Sequence, residues 1–361
     1  MKKIDIVNKT IVDNQLDGIM LSSDDNRFWF MNFESSAGFL FINKKNKTIF
    51  LVDGRYFEKA CISLKDKIDE VRLLTSDKPL NQQMSEIFNE LDMKNIGIEA
   101  EYTNLNQYNS YLKMINFKFI PFDSVVLRAI KEDYEIDLLQ KAADIAAETI
   151  EWIKTQIKLG MTEIEVANMI SKHMLDLGAS KNSFDPIVAS GVNGSFPHHK
   201  PGNKVIEMGD MITVDIGCIY KGYCSDITRS FILGDKANNP EMIEIYNVVL
   251  ESQLTGIEKA TNNINGLDLD LVCRNIISNT KYANYFSHST GHGVGIQVHE
   301  EPYVSSRNKN IFKNNSVITI EPGIYVPEIG GVRIEDTIVI RDNKAIVLTR
   351  KANKDLYTKV N

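Results

Sequence analysis

Three of the chain's six histidines fall within one short stretch, His288-Ser289-Thr290-Gly291-His292-Gly293-Val294-Gly295-Ile296-Gln297-Val298-His299-Glu300. Imidazole is the side chain most used for proton transfer and metal ligation near neutral pH. The intervening glycines, Gly291, Gly293 and Gly295, let the backbone turn tightly or approach a ligand closely. Four carboxylates stand in equally informative places. Asp215 (Val214-Asp215-Ile216-Gly217), Asp226 (Ser225-Asp226-Ile227-Thr228-Arg229), Glu321 (Ile320-Glu321-Pro322-Gly323) and Glu335 (Arg333-Ile334-Glu335-Asp336-Thr337) are each set in an apolar run of strand character. Any one alone could be a core acid satisfied by its neighbours. Four together are different, because like charges ~4 Å apart repel by about 4 kcal/mol per pair at an effective dielectric of 20. Buried carboxylates need partners, and these runs hold little lysine or arginine apart from Arg229 and Arg333. Two divalent cations would balance four carboxylates in formal charge. With His292 as a fifth ligand, the donor set suits Mn²⁺, Co²⁺, Zn²⁺ or Fe²⁺, and suits Mg²⁺ less because it binds imidazole poorly.

These side chains need strands to hold them. Residues 211–217 and 224–231 read as the arms of a hairpin with its tip at Lys221-Gly222. That register sets Gly217 opposite Asp226 and Asp215 opposite Thr228. Asp215 and Asp226 are then diagonal neighbours on one face, within reach of a shared ion. A slip by one residue would send them to opposite faces. Residues 317–320 place Glu321 at the end of an apolar strand. Residues 331–340 alternate as one strand, with Arg333, Glu335 and Thr337 on one face and Val332, Ile334 and Ile338 on the other.

Helices flank this strand-rich part. From Glu135 onward Leu138, Leu139, Ala142, Ile145, Ala146, Ile150 and Ile153 recur at three- and four-residue spacing. Gly160 ends that helix, and Thr162-Glu163-Ile164-Glu165 has the form of a capping box opening a second, which ends near Gly178. Two more helices are expected across 241–260 and 267–279. His173 lies on the second helix and reads as structural. Residues 1–122 alternate differently. Strands are expected at 17–22, 37–43, 48–52, 70–74, 95–99 and 117–122. Helices are expected at the N-terminus and near 56–63, 81–92 and 104–115. This predicts an α/β domain with a mixed sheet. It has no histidine and no carboxylate cluster beside a glycine loop, so no separate catalytic centre is expected there.

At 361 residues the chain exceeds the usual limit for a single core, so two domains are the default. The expected division is residues 1–123, a linker over 124–134, and 135–361. Hydrophobic content of 43% and charged content of 25% are ordinary for a globular protein. A net charge of -7 argues against sequence-independent binding to nucleic acid. No apolar run approaches the ~18 residues that span a bilayer, and the charged N-terminus lacks the apolar core of a signal peptide. Cys61, Cys218, Cys224 and Cys273 form no metal-type pair and read as reduced. A cytoplasmic location is the expectation.

Order, spacing and context of the five motifs resemble the pita-bread (M24) metallopeptidases, in the branch of Xaa-Pro aminopeptidases (aminopeptidase P) and proline dipeptidases. The resemblance covers residues 135–361. Weaker matches at Ser35-Ser36-Ala37-Gly38 and Val52-Asp53-Gly54-Arg55-Tyr56 extend it to a creatinase-type N-terminal domain. It implies an α/β (α+β) protein whose second domain packs helices on a curved antiparallel sheet. It implies two divalent metal ions, foremost Mn²⁺, with Co²⁺ or Zn²⁺ as alternatives. Asp226 and Glu335 would bridge both, Asp215 would bind one, and His292 with Glu321 the other. His198 would line the site, His299 would contact the scissile carbonyl, and His288 would stand near the substrate. Glu321 would carry the proton between the hydroxide held by the two metals and the leaving nitrogen. Arg333 would orient a carboxylate, or be solvated or purely structural. The glycines beside His292 would leave room for substrate. Homodimers or higher oligomers are implied, as are peptide substrates with proline in the second position.

The nearest alternative is a proline dipeptidase, which needs a cation for the dipeptide carboxylate; Arg307 is the candidate, with a plain solvated arginine as the other reading. His199 has no assigned role. A non-catalytic peptide-binding relative would have lost ligands, and here all five are present.

Overall fold

In the computed structural model, which describes residues 2–358, the chain divides between Arg128 and Ala129 into two units. The first alternates helix and strand: α1 (Lys3–Asp13), β1 (Gly18–Leu21), α2 (Asp24–Met31), β2 (Phe39–Asn43), β3 (Thr48–Val52), α3 (Phe57–Ser63), β4 (Glu70–Leu73), α4 (Leu80–Glu90), β5 (Asn95–Glu99), α5 (Leu105–Tyr111) and β6 (Lys118–Phe122). Its six strands form one sheet in the order β4-β3-β2-β1-β5-β6. The sheet is mixed, because β1 runs antiparallel to β2 and parallel to β5. Strands β1 and β3 are buried throughout, as their near-continuous apolar runs require of strands covered on both faces. Met84, Ile87 and Phe88 of α4 pack on Met20, Phe41 and Leu51.

Helix α2 has no counterpart in the expected elements. It forms because Ser23 caps it, accepting the Asn26 amide, and because Asp24 and Asp25 sit in its first turn, where the helix dipole favours negative charge. Beside this cap lies Glu99, fully buried at the end of β5. Its Oε2 accepts the amides of Ser22 and Ser23 and the Ser22 hydroxyl. Its Oε1 accepts the Ser23 hydroxyl and the Asn26 amide, each at 2.6 Å.

The second unit opens with α6 (Asp133–Gln156) and α7 (Glu163–Asp176). The Thr162–Glu165 capping box is present, and Gly160 turns the chain between the helices at φ +89°. Strands β7 (Lys181–Asn182), β8 (Ile187–Ser190), β9 (Met211–Ile216), β10 (Cys218–Tyr220), β11 (Tyr223–Cys224) and β12 (Ile227–Leu233) follow. After α8 (Glu241–Lys259) and α9 (Gly266–Ser278) come β13 (Gly291–Gly293), β14 (Glu300–Val304), β15 (Val317–Ile320), β16 (Gly323–Val326), β17 (Gly330–Arg333), β18 (Asp336–Arg341), β19 (Lys344–Val347) and β20 (Tyr357–Thr358). They form sheets β20-β12-β9-β8, β14-β13-β15-β18-β19, β11-β10-β7 and β16-β17. Among the described residues, the strand pairings in this unit are antiparallel except β12 with β20.

Helices cover these sheets. Ala146 and Ile150 of α6 and Val166 and Ile170 of α7 pack on Ile212, Val214 and Phe231. Ile245 and Val249 of α8 pack on Ile324, Val332 and Ile334. Leu269 and Cys273 of α9 pack on Ile318, Ile320 and Ile338.

Two strand expectations change in detail. The hairpin tip is at Lys221-Gly222, both left-handed (φ 48° and 86°), as a two-residue turn demands. The register beyond it sets Asp215 opposite Thr228 and Ile216 opposite Ile227, as the tip position required. The arms are nevertheless not continuous: the β9–β12 ladder and the β10–β11 ladder belong to different sheets. Asp226 lies at the break between β11 and β12. Residues 331–340 likewise do not make one strand. They divide into β17 and β18, in separate sheets, and Glu335 stands in the gap.

Candidate active site

Breaks in strands are what bring the carboxylates together. Asp215, near the end of β9, and Thr228, at the start of β12, face each other across the ladder. Glu335 is drawn to the same place because its amide donates to the Thr228 carbonyl at 3.1 Å and its Oε2 accepts the Thr228 hydroxyl at 2.7 Å. Glu321 follows β15, and its amide donates to the Thr290 carbonyl at 2.8 Å. His292 lies in β13, with its amide donating to the Thr319 hydroxyl at 3.0 Å; that hydroxyl donates onward to Glu321 Oε1 at 3.1 Å.

The donor atoms converge. Ligand atoms of Asp226, His292 and Glu335 all lie within 4.8 Å of one another. His292 Nε2 is 3.1 Å from Glu321 Oε1 and 3.5 Å from Asp226 Oδ2. Its Nδ1 is 3.1 Å from the Gly293 carbonyl. A proton on Nδ1 donated to that carbonyl orients the ring with Nε2 toward the acids; without a cation Nε2 carries a proton donated to Glu321, and to a bound cation it would offer its lone pair instead.

Two acids are satisfied on one side only. Asp215 Oδ2 accepts Arg333 Nη2 at 2.6 Å, while Oδ1 is buried and has no hydrogen-bond partner among the described residues. Glu335 Oε2 is held by Thr228, while Oε1 is buried and likewise lacks one. An ionised oxygen removed from water without a donor is strongly disfavoured. The electrostatics follow. Burial, reinforced by the charges of Glu335, Asp215 and Glu321, pushes Asp226 well above its ordinary range. Burial and the charges of Glu321 and Asp215 do the same to Glu335. Burial raises Asp215, opposed by the Arg333 guanidinium. Burial would raise Glu321 too, but the His292 hydrogen bond and charge outweigh it and hold that carboxyl at about 2. Four acids, two with an oxygen wanting a positive partner, and one oriented imidazole fit a divalent-cation centre in the chemistry of their donors.

The nine residues given a ligand or catalytic role in the sequence analysis line one cavity of about 430 Å³. His299 stands edge-on to His292, with ring centroids 4.2 Å apart. Although its side chain is exposed to the cavity, desolvation by the surrounding walls lowers it to about 4, helped by the His292 charge, which favours the neutral ring at pH 7. His288 Nε2 lies 2.8 Å from the Tyr325 hydroxyl, and Nδ1 lies 2.8 Å from the Ser289 carbonyl. Arg333 Nη1 donates to the same tyrosine at 2.8 Å, so Tyr325 joins His288 to the arginine that holds Asp215. Arg333 is therefore not a solvated side chain. His198 lines the cavity from the exposed segment after the 3-10 turn Gly191–Ser195.

Other sequence readings resolve as well. His199 also lines the cavity, but its Nε2 is 2.7 Å from Glu163 Oε2, a buried carboxylate that Ser190 and Asn193 also hold. His173 stacks on Trp152 at 3.9 Å. Arg307 is exposed on a turn and is not among the lining residues. The glycines beside His292 make room chiefly for the protein itself. A Cβ at Gly291 would meet the Thr319 carbonyl at 2.0 Å, one at Gly293 the Glu301 carbonyl at 2.5 Å, and one at Gly295 Glu300 Oε2 at 2.2 Å.

Sequence reading missed the roles of Thr228, Thr319 and Tyr325, each of which has at least one partner distant in the chain: Glu335, His292 and His288 respectively. It also missed Asp270 and Arg274 of α9, a helical pair four residues apart. Asp270 accepts the Thr290 amide and hydroxyl, and Arg274 donates to the His288 carbonyl, so this pair fixes the entry to β13. Only that spacing was visible beforehand.

Comparison with known proteins follows the same division. The profile of metallopeptidase family M24 matches residues 137–342, and that of the creatinase/prolidase N-terminal domain matches residues 3–130. A protein of Mycoplasma pneumoniae, provisionally named Xaa-Pro aminopeptidase, is 40% identical over 350 residues, 97% of each chain. The Xaa-Pro dipeptidase of Pyrococcus horikoshii is 35% identical over 362 residues, covering 96% of this chain and 98% of that one. Among solved structures, an Xaa-Pro dipeptidase from Bacillus anthracis superposes with a TM-score of 0.93 at 38% identity over 99% of both chains.

Proposed function

The chain belongs to metallopeptidase family M24, and from that premise we propose that it is an Xaa-Pro aminopeptidase using two divalent metal ions, foremost Mn²⁺. The observation that carries this reading is the pair of half-satisfied buried carboxylates, Asp215 and Glu335, converging with Asp226, Glu321 and His292 in one cavity. Asp226 and Glu335 would hold both ions, Asp215 one, and His292 with Glu321 the other. The ions supply a nucleophile at neutral pH and Lewis acidity toward a carbonyl.

The remaining work falls to side chains of this chain. Arg333 and Thr228 each hold one carboxylate oxygen and aim the other inward. His299, neutral at pH 7, donates a ring N–H to the carbonyl oxygen as negative charge develops there. Glu321 accepts a proton from the attacking water and delivers it to the leaving imide nitrogen. His288, anchored by Tyr325, and His198 bound the space for the peptide.

Aminopeptidase activity is preferred over dipeptidase activity because Arg333 is already committed to Asp215 and Tyr325, and Arg307 is away from the cavity lining. The dipeptidase reading draws on Lys200, an exposed lysine of the lining that could meet a dipeptide carboxylate. The test is hydrolysis of Xaa-Pro and Xaa-Pro-Yaa peptides by metal-free protein refilled with Mn²⁺, Co²⁺ or Zn²⁺. Faster cleavage of the longer peptides is expected. A clear dipeptide preference overturns the aminopeptidase assignment, and no cleavage with any ion overturns the peptidase reading altogether.

A further inference from the structure

The segment that carries His299 is tied down from behind. Glu300, the next residue, opens β14, and its side chain is fully buried. Its Oε2 accepts Lys131 Nζ at 2.9 Å, and the lysine side chain is only 2% exposed. Its Oε1 accepts the Gln297 amide at 3.1 Å, closing the loop on itself. Lys131 is anchored in turn. Its amide donates to the Asn315 carbonyl at 3.0 Å, and its carbonyl accepts Asn315 Nδ2 at 3.0 Å. Asn315 lies two residues before β15, the strand that Glu321 follows.

The glycine run belongs to the same arrangement. A Cβ at Gly295 would stand 2.2 Å from Glu300 Oε2 and 3.0 Å from Lys131 Cε. The Gly295 carbonyl accepts the Cys224 amide at 2.7 Å, which ties the loop to β11, just before Asp226. The pair is therefore lodged beneath the loop, while His299 lines the cavity. His299 ends the bend that precedes β14 and is exposed to the cavity while the adjacent Glu300 is buried, so anchoring the Glu300 side chain fixes the backbone from which the imidazole projects.

We propose that the buried Lys131–Glu300 pair is a positioning device for His299, holding its imidazole in place for turnover. The inference rests on the role given to His299 above. Exchanging a buried ion pair for well-packed apolar residues is often neutral for stability, so stability alone does not account for one at this place. Displacement of a reacting group by about 1 Å can lower a rate by ~10²-fold.

The experiment uses the full chain loaded with Mn²⁺ and compares Lys131→Met, Glu300→Leu, the double variant and Glu300→Asp. Thermal midpoint, metal content, kcat and KM are measured on an Xaa-Pro-Yaa peptide. Each single apolar variant should lower Tm by on the order of 10 °C. The double variant should recover most of that Tm and bind wild-type metal, with KM within about twofold, yet keep a kcat lower by about 10–100-fold. Adding His299→Ala to the double variant should lower kcat no further than His299→Ala alone, because the two changes remove one function. Recovery of kcat together with Tm overturns the proposal, as does a loss additive with that of His299→Ala. Should the double variant not fold, Glu300→Asp decides. It keeps the charge but withdraws the carboxylate by one methylene, and a kcat at least fivefold lower at unchanged KM is expected. Wild-type kcat in Glu300→Asp overturns the proposal. Failure of the underlying reading looks different: His299→Ala would itself leave kcat unchanged, or the wild type would cleave no Xaa-Pro bond.

Discussion

Glu99, the last residue of β5 in the first unit, and Glu335, in the gap between β17 and β18 of the second, are both buried glutamates, 0% and 1% exposed. Five donors converge on Glu99, three on one oxygen and two on the other. Glu335 has the Thr228 hydroxyl on Oε2 and no hydrogen-bond donor on Oε1. The first glutamate is complete and joins β1, α2 and β5 into one structure. The second is incomplete and stands among three other acids. Burial of a carboxylate therefore does not mark a site; the missing donor does, because an ion taken from water must find its compensation somewhere.

The sharpest way to break this contrast is to remove each glutamate. Glu335→Ala should lose bound metal and lower kcat by at least ~10³-fold, read by metal analysis and peptide hydrolysis. If full activity and metal remain, Glu335 is another Glu99 and the ligand assignment fails. The next effect belongs to His299. His299→Ala should lower kcat by about 10²–10³-fold, the loss typical of a donor to a developing oxyanion, while metal content stays at the wild-type level. Unchanged turnover would remove its role at the carbonyl.

In the first unit the effect should appear in stability rather than rate. Glu99→Ala strands the donors of Ser22, Ser23 and Asn26 and should cost about 3 kcal/mol in urea unfolding, with kcat on the intact protein unchanged. A large fall in kcat at wild-type stability would show that Glu99 serves the chemistry after all. The smallest effect sharpens the contrast inside the second unit. Glu163 is buried yet satisfied. Burial would raise it, but hydrogen bonds from His199, Ser190 and Asn193 outweigh that and bring it below its ordinary value of 4.5. A depressed folded value stabilises above the unfolded one, so this contribution is complete above about pH 4.5 and is lost as pH falls through the lower folded value. Glu163→Gln should flatten that acid limb in a stability–pH titration; an unchanged limb would show that Glu163 does not contribute to it.

Much of the second unit was legible because its signals are local. The capping box at Thr162–Glu165 opens α7, and Lys221-Gly222 sets the hairpin register that brings Asp215 and Asp226 into one neighbourhood. Less local features were read too simply. Alternation across residues 331–340 looked like one strand, but the chain changes sheets at Glu335, and no residue type announces that step. The glycines beside His292 looked like space for a ligand, whereas the Thr319 and Glu301 carbonyls and the Glu300 carboxylate fill the space that Cβ atoms would need. Helix α2 escaped notice although Ser23, Asp24 and Asp25 form a helix start.

Adjacent residues show where the limit lies. Glu335 and Asp336 are both acids, both buried, and consecutive in sequence. Burial presses both upward. For Asp336 the Arg229 and Lys354 charges outweigh burial and hold it at about 2, with Thr349 and Gln253 donating as well. Glu335 receives Thr228 alone among donors and stays raised beside Glu321 and Asp215. The sequence by itself determined the inventory of acids and imidazoles, the helix starts and the register of the hairpin, because each depends on residues a few positions apart. Only the tertiary structure decided which acid is satisfied and which still needs a cation. The donors that make the difference come from segments up to about a hundred residues away, and desolvation depends on everything packed around the carboxylate.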